Sequence, residues 1–419
     1  MKLLLTFRWL IAVPLLFCFS GCLKDQCQET FQLHIPVYKS LTEVRADMKS
    51  MAPRAIQYPG KIFTIGQYIF VNEIDRGIHV IDNANPASPK NISFINIPGN
   101  MDMSVQNNTL YADSYGDLVA MDVTDVSNVT AKKFVSNVFP DRSYYYYSNN
   151  TTNPDSIKVV VDFLVKDTVV DCQTYRFMSG CSSCSYAMDT RAAMSAAGGQ
   201  KAGKGGSMAR FTILKNHLYT VTRSDLRVFS LSQPLDPQLL TTRQLGNWNI
   251  ETIFPFINKL FIGSTNGMFI FDATDPASPI MTGQFAHVQS CDPVIADDNF
   301  AYVTLRNGTV CTGTVNQLDV IDIRAATPSL VKTYPLTNPH GLSKENNTLY
   351  ICEGAAGFKV FDATNVFSIK QVAHVKNIDA FDVITNGNLA LVVGRDGLYQ
   401  YDVTDNKHIK QVSRIPVNN

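Results

Sequence analysis

"FDATDPASPI", Phe271–Ile280, is a phrase the chain repeats. Close variants stand at 80–89 ("VIDNANPASP"), 121–130 ("MDVTDVSNVT"), 361–370 ("FDATNVFSIK") and 401–410 ("YDVTDNKHIK"). An apolar residue, Asp, two small residues and then Asp or Asn reads in one of two ways. The carboxylates are ligands, for calcium for instance, or they build a turn. Asp and Asn accept hydrogen bonds from backbone N–H groups one or two residues on, and Pro fixes φ. The phrase therefore predicts a tight connection between two strands.

Upstream of each copy lies an apolar doublet: "YIFVNE" from Tyr68, "TLYADS" from Thr109, "HLYTVT" from His217, "KLFIGS" from Lys259, "FAYVTL" from Phe300, "TLYICE" from Thr348 and "NLALVV" from Asn388. A further apolar run precedes each doublet ("IFTI", "TIFPF"), and a fourth follows each Asp unit ("NISFINI", "IKQVSRI"). These runs are short, β-branched or aromatic, broken by Gly, Asn, Asp and Pro, and none has helical period. The key positions are Asp82, Asp122, Ser230, Asp272, Asp322, Asp362 and Asp402. Outside insertions they recur at roughly 40 residues, the period of propeller blades. The expected fold is all-β: a seven-bladed β-propeller of four-stranded blades over 59–417, with a projecting insertion. A two-sheet sandwich would make the repetition accidental. In a propeller successive copies of the phrase are a blade apart and cannot converge on one ion, which favours the turn.

Two insertions break the period. A short one, "NGTVCTGTVNQ", follows Arg306. The long one, 140–207, holds "SYYYYSNNTTNPDS", a strand-like pair "IKVVVDFLVKDTVV", "CQTYRFMSGCSSC" and "AAGGQKAGKGGS". It reads as a β-hairpin, a Cys-bearing loop and a flexible Gly/Ala-rich tail. Tyr144–Tyr147 are a surface for glycans or proteins, or a packed strand.

"GIHVIDNANPASP", "LVAMDVTD", "MFIFDATDPASP" and "LDVIDI" resemble the bacterial LVIVD-repeat proteins, over nearly all of 60–417. "SCDPVIADD", "YVTLRNGTVC", "NPHGLS" and "GSMARF" look like the lipoprotein branch of that family. The resemblance implies a β-propeller exported to the cell envelope and no particular activity.

Lys+Arg and Asp+Glu are 36 each, so no net field favours nucleic acid. Lys2 and Arg8 precede the apolar run "WLIAVPLLFCF" (9–19), too short to span a membrane and followed by small residues. Residues 1–21 are therefore expected to be a signal peptide. Ser20, Gly21 and Cys22 resemble the bacterial lipobox, with Cys22 acylated as the first mature residue; the alternative is an ordinary signal with an incidental Cys. Residues 22–58 then form a tether and lead-in, and "LKDQCQE" (23–29) loosely resembles a surface-export signal. The expected location is the outer membrane, lipid-anchored, periplasmic or surface-exposed.

An exported chain meets an oxidising compartment. Cys291 and Cys311 both fall on one face of the fifth unit and are the expected disulfide, closing a loop worth about 3 kcal/mol. Cys352 competes or is a buried thiol. Cys181 and Cys184 read as a small disulfide loop rather than zinc, because only Cys172 is near. Cys27 is unassigned.

Aligning the units at the start of the first strand brings seven ionisable residues into register: Lys61, Asp102, Arg210, Glu251, Asp292, His340 and Asp382. In a propeller these positions ring the channel mouth. They form a salt-bridge plug, or a polar site in which Asp292, His340 and Asp382 hold a divalent cation. A third reading makes His340 a general base oriented by its acidic neighbours. No catalytic motif supports it, and no cofactor is expected beyond that possible cation. The expected function is envelope-anchored binding or scaffolding through the channel mouth and insertion face, with an envelope protein or glycan as partner. Alternatives are a hydrolase or lyase on a polar extracellular or glycan substrate, and a purely structural assembly component.

Overall fold

The computed structural model describes residues 28–147, 153, 155–171, 204–246, 249–290, 293–308 and 313–418. Each repeat folds as one antiparallel sheet whose four strands are consecutive in sequence, and seven such sheets form the propeller. Blade 4 is representative: Ile250–Phe256, Lys259–Ser264, Gly267–Asp272 and Ile280–Ala286. The expected fold class is the observed one. The two central strands of a blade are sandwiched between neighbouring blades, so both their faces are buried and they read as unbroken apolar runs. Outer strands such as Gln238–Gln244 are mostly exposed and mix polar with apolar residues.

The repeated phrase is a turn built twice over. Oδ1 of Asp82, Asp122, Asp272, Asp322, Asp362 and Asp402 each accepts the N–H two residues on, at 2.7–3.0 Å. Asn85, Asp125, Asp275, Asn365 and Asp405 repeat the bond three residues later, at 2.9–3.1 Å. Ser230 substitutes with its hydroxyl at 3.3 Å. Immediately after the turn every outer strand carries a β-bulge. A bulge twists the strand and disfavours edge-to-edge pairing with other chains.

The turns also join blades. Tyr111 and Tyr219, from the "LY" doublets of blades 2 and 3, donate to the carbonyls of Pro234 and Pro276 in the next blade's turn, at 2.8 and 2.7 Å. Tyr334 of blade 5 donates to Val366 O at 2.7 Å. At the seam, Gln400 of blade 7 exchanges amide hydrogen bonds with Asn83 and reaches Pro86 O in blade 1. Among the described residues no strand is shared across this seam. Ile56 of the lead-in instead pairs in parallel with Val417, and Ile56, Ile62, Ile69, Ile384 and Leu391 pack into one cluster. The lead-in also bridges Lys49 to Thr130 of blade 2 and adds Ser50–Met51 to the outer edge of blade 1. Its helix, Leu41–Ala46, starts with a capping box between Ser40 and Glu43 and buries Leu41 and Val44.

Two compact units divide the chain. Tyr38–Val161 with Asp189–Asn419 is the propeller; Met1–Val37 with Asp162–Met188 is a smaller unit. One expectation is corrected. The stretch read as a hairpin is a single strand, Lys158–Asp171, in a sheet with Gln28–Ser40 and Tyr146–Tyr147. No Gly, Pro or Asn interrupts it to make a turn, and its long partner comes from the lead-in. Cys22, Cys27, Cys172, Cys181 and Cys184 lie outside the described residues.

Removing one inter-blade hydroxyl tests the stitching. Tyr219→Phe leaves the Pro276 carbonyl without this donor and is expected to lower unfolding free energy by about 1 kcal/mol. Urea denaturation with an unchanged slope is the check.

Candidate functional site: the channel mouth and its filling

The first strand of each blade contacts the first strand of the next, so these strands line the channel. Lys61 lies in Pro59–Ile65, Glu251 in Ile250–Phe256 and Asp382 in Ala380–Asn386; Asp102, Arg210 and His340 lie just ahead of their strands. Asp292, with Cys291 and Cys311, is outside the described residues.

Blades 1 to 3 bring three of the expected residues together. Lys61 Nζ is 2.5 Å from Asp102 Oδ2, and the same oxygen accepts the Arg210 backbone N–H at 2.6 Å. Asp102 Oδ1 accepts the N–H of Met103 at 2.7 Å. Burial pushes the Lys61 amine below its ordinary range, with Asp102 acting against it. A second layer was not visible in the repeat because its arginine belongs to the insertion. Arg142, in the short helix Pro140–Tyr145, reaches Asp113 at 3.2 Å, and Asp75 and Gly99 O at 3.0 Å. Asp113 in turn accepts the N–H groups of Met101 and Asp102. Burial raises its carboxyl against the Arg142 charge. Asp141, beside Arg142, is 3.7 Å from Arg210.

The other described members lie on blades 4, 6 and 7. Glu251 is half-buried on blade 4. His340 is 7% exposed, with its ring edge-on to Phe381 at 5.6 Å. Its backbone N–H donates to Cys352 O, and its carbonyl accepts from Thr304. Asp382 is fully buried, packed so tightly that a Cβ on Gly206 or Gly341 would come within 1.9 or 2.0 Å of a carboxylate oxygen. Cys352 is a buried free thiol, pushed well up by burial. Among the described residues no three His, Cys, Asp or Glu side chains are placed to hold one metal ion.

The channel contains the chain's own backbone. Lys204–Gly205, at the end of the Gly-rich tail, pair with Thr64 and Phe63 on the inner edge of blade 1. From there the chain climbs past the inner strands to the mouth, where blade 3 begins at Phe211. Lys204 Nζ lies 3.4 Å from Glu345 and 3.3 Å from Thr385, and Ser207 Oγ accepts the Leu342 N–H at 2.6 Å. Composition marked this segment as linker, and the same small residues suit a crowded axis. Sequence offers no means of separating the two.

Sequence reading also missed a buried group in blade 1. His79 Nε2 meets Glu73 Oε2 at 2.5 Å, both side chains wholly buried, and Arg54 of the lead-in reaches Glu73 at 3.1 Å while lying over Phe94. Burial works against ionisation of Glu73, but the His79 hydrogen bond and the Arg54 charge prevail and hold its carboxyl below the usual range.

No family model matches the sequence, nor does any curated protein. Solved structures do match. The computationally designed protein Ika8 is 8% identical over 87% of this chain and 91% of its own, with TM-score 0.52. BamB from Moraxella catarrhalis is 9% identical over 89% and 95%, with TM-score 0.50. PorZ of Porphyromonas gingivalis is 12% identical over 88% of this chain and 40% of its own, with TM-score 0.50. The fold is a propeller. At these identities the likeness establishes nothing finer.

Two outcomes are expected. Asp102→Ala strands a buried ammonium and should cost about 3–5 kcal/mol, part of it restored in Lys61→Met/Asp102→Leu; chemical denaturation of the three variants measures this. Glu73, with a depressed folded pKa, contributes stability that is complete above its unfolded value and lost as pH falls through the folded one. Glu73→Gln should therefore be less stable at neutral pH and show a flatter decline below about pH 5.

Proposed function

We propose that the chain is an envelope-anchored binding or scaffolding protein that works through its mouth face and insertion. The observation that supports this reading best is the use made of the channel. Lys61 pairs with Asp102, Arg142 with Asp113 and Arg210 with Asp141 at the mouth, and the chain's own residues 204–207 occupy the axis behind them. Charges committed to one another hold blades and insertion in place, which suits presentation of a surface. The lipobox resemblance at Cys22 supports attachment to the bacterial outer membrane, and the LVIVD-repeat resemblance supports an envelope role. PorZ is described as a bacterial surface component of a secretion system; the same fold serves at a cell surface there. The partner we infer is an envelope protein or glycan.

Anchoring is tested by Cys22→Ser, which is expected to move the protein from the membrane to the soluble fraction; continued membrane attachment overturns the anchor. Binding is tested in detergent-solubilised envelopes. The acylated wild type is expected to migrate in a complex larger than the lone chain, and charge reversal at Glu251 with Arg223, which stands near Asp141 on the mouth side, to release it. Migration of the wild type as the lone chain sinks the reading.

A further inference from the structure

Lys204–Ser207 fill the channel poorly. Gly205 and Gly206 bring no side chain, and alongside them a cavity of about 110 Å³ remains between the segment and the inner strands of blades 4 to 7. Its walls include Phe254, Phe256, Ile295, Leu342 and Val383. For scale, an apolar cavity of about 150 Å³ accepts benzene, so this smaller space takes a branched aliphatic side chain whole or an aromatic ring inserted in part. Next to it lies a strand pairing already made, between the segment and the inner edge of Pro59–Ile65. Backbone pairing to a sheet edge, with a pocket for a side chain, is how proteins take up extended peptides by strand addition. Here the pairing is present and the side chain is missing.

We propose that the channel is a binding site for an extended peptide carrying one aromatic or branched aliphatic side chain, and that Lys204–Ser207 is its displaceable occupant in cis. This goes beyond the binding reading above, which uses the mouth face and the insertion, and adds a second site inside the channel. The surroundings specify the peptide position by position. Glu345 and Thr385 receive a basic residue, as they now receive Lys204. The cavity beside Gly205 takes the bulky side chain. The next position is Gly, because a Cβ at Gly206 strikes the Asp382 carboxylate at 1.9 Å. The fourth is Ser or Thr, whose hydroxyl accepts the Leu342 N–H as Ser207 does. A basic–aromatic–Gly–Ser sequence follows. Tethering gives the cis segment an effective concentration of the order of millimolar, so it suppresses a peptide in trans until it is dislodged.

The test uses the purified protein and a fluorescein-labelled Lys-Phe-Gly-Ser-Met-Ala peptide, followed by anisotropy. Two variants dislodge the cis segment: Gly206→Val through the clash with Asp382, and Lys204→Glu by facing Glu345 with a like charge. Either, once shown to unfold cooperatively, is expected to bind the peptide at least tenfold tighter than wild type. A control peptide with Gly for Phe is expected to bind at least tenfold weaker. Folded variants that bind no tighter than wild type, or equal binding of the two peptides, overturn the proposal. A measurement in cis stands independently: Gly205→Phe should fill the cavity and raise the thermal midpoint, and a lowered midpoint or failure to fold counts against the site. No envelope is present, so failure here leaves the anchoring and complex tests intact, and failure of those leaves this result standing.

Discussion

The propeller depends on one recurrent bond: a donor on one blade reaching an acceptor in the turn of the next. Tyr111 to Pro234, Tyr219 to Pro276, Tyr334 to Val366 and Gln400 to Pro86 are versions of it. The acceptor carbonyl is aimed by the turn, whose Asp, Asn or, for Pro234, Ser230 side-chain oxygens take up nearby N–H groups and fix the local backbone. Apolar packing between blades supplies most of the cohesion but has no preferred direction. These hydroxyl and amide bonds to turn carbonyls supply direction where they occur, between blades 2 and 3, 3 and 4, 5 and 6, and 7 and 1. The repeated phrase is thus both the end of one strand and the docking point for another blade.

That arrangement explains why the fold was so legible. A local turn with a fixed residue pattern repeats visibly, and the doublet carrying Tyr111, Tyr219 and Tyr350 repeats with it. The mouth was legible only in part. Lys61, Asp102 and Arg210 do meet, because they occupy equivalent starts of adjacent inner strands. Arg142 and Asp113 complete the network, and they were invisible because the arginine follows no period. The hairpin expectation failed for a related reason. Local pattern marks Lys158–Asp171 as extended, but which strand pairs with it is a long-range matter, settled by Gln28–Ser40.

The lysine and glycines at 204–207 show the same limit from another side. Gly-rich sequence is permissive about conformation, so its composition is compatible with a linker and with a strand in a crowded channel. What distinguishes them is the set of groups waiting there: the inner edge of blade 1, the Leu342 N–H, and the Glu345 carboxylate. Those groups come from two blades, 1 and 6, and acquire a common address only after the ring has closed.

The lead-in's course has a mechanical consequence. Lys49 bonds to blade 2, Ser50–Met51 to blade 1 and Ile56 to blade 7, all within eight residues of chain. A pull applied from the N-terminus therefore does not peel a single blade from the ring. It loads three adjacent blades in succession, and the last of them carries the rung that closes the circle. Tension is shared across the seam, the place where a ring without a swapped strand would otherwise part first.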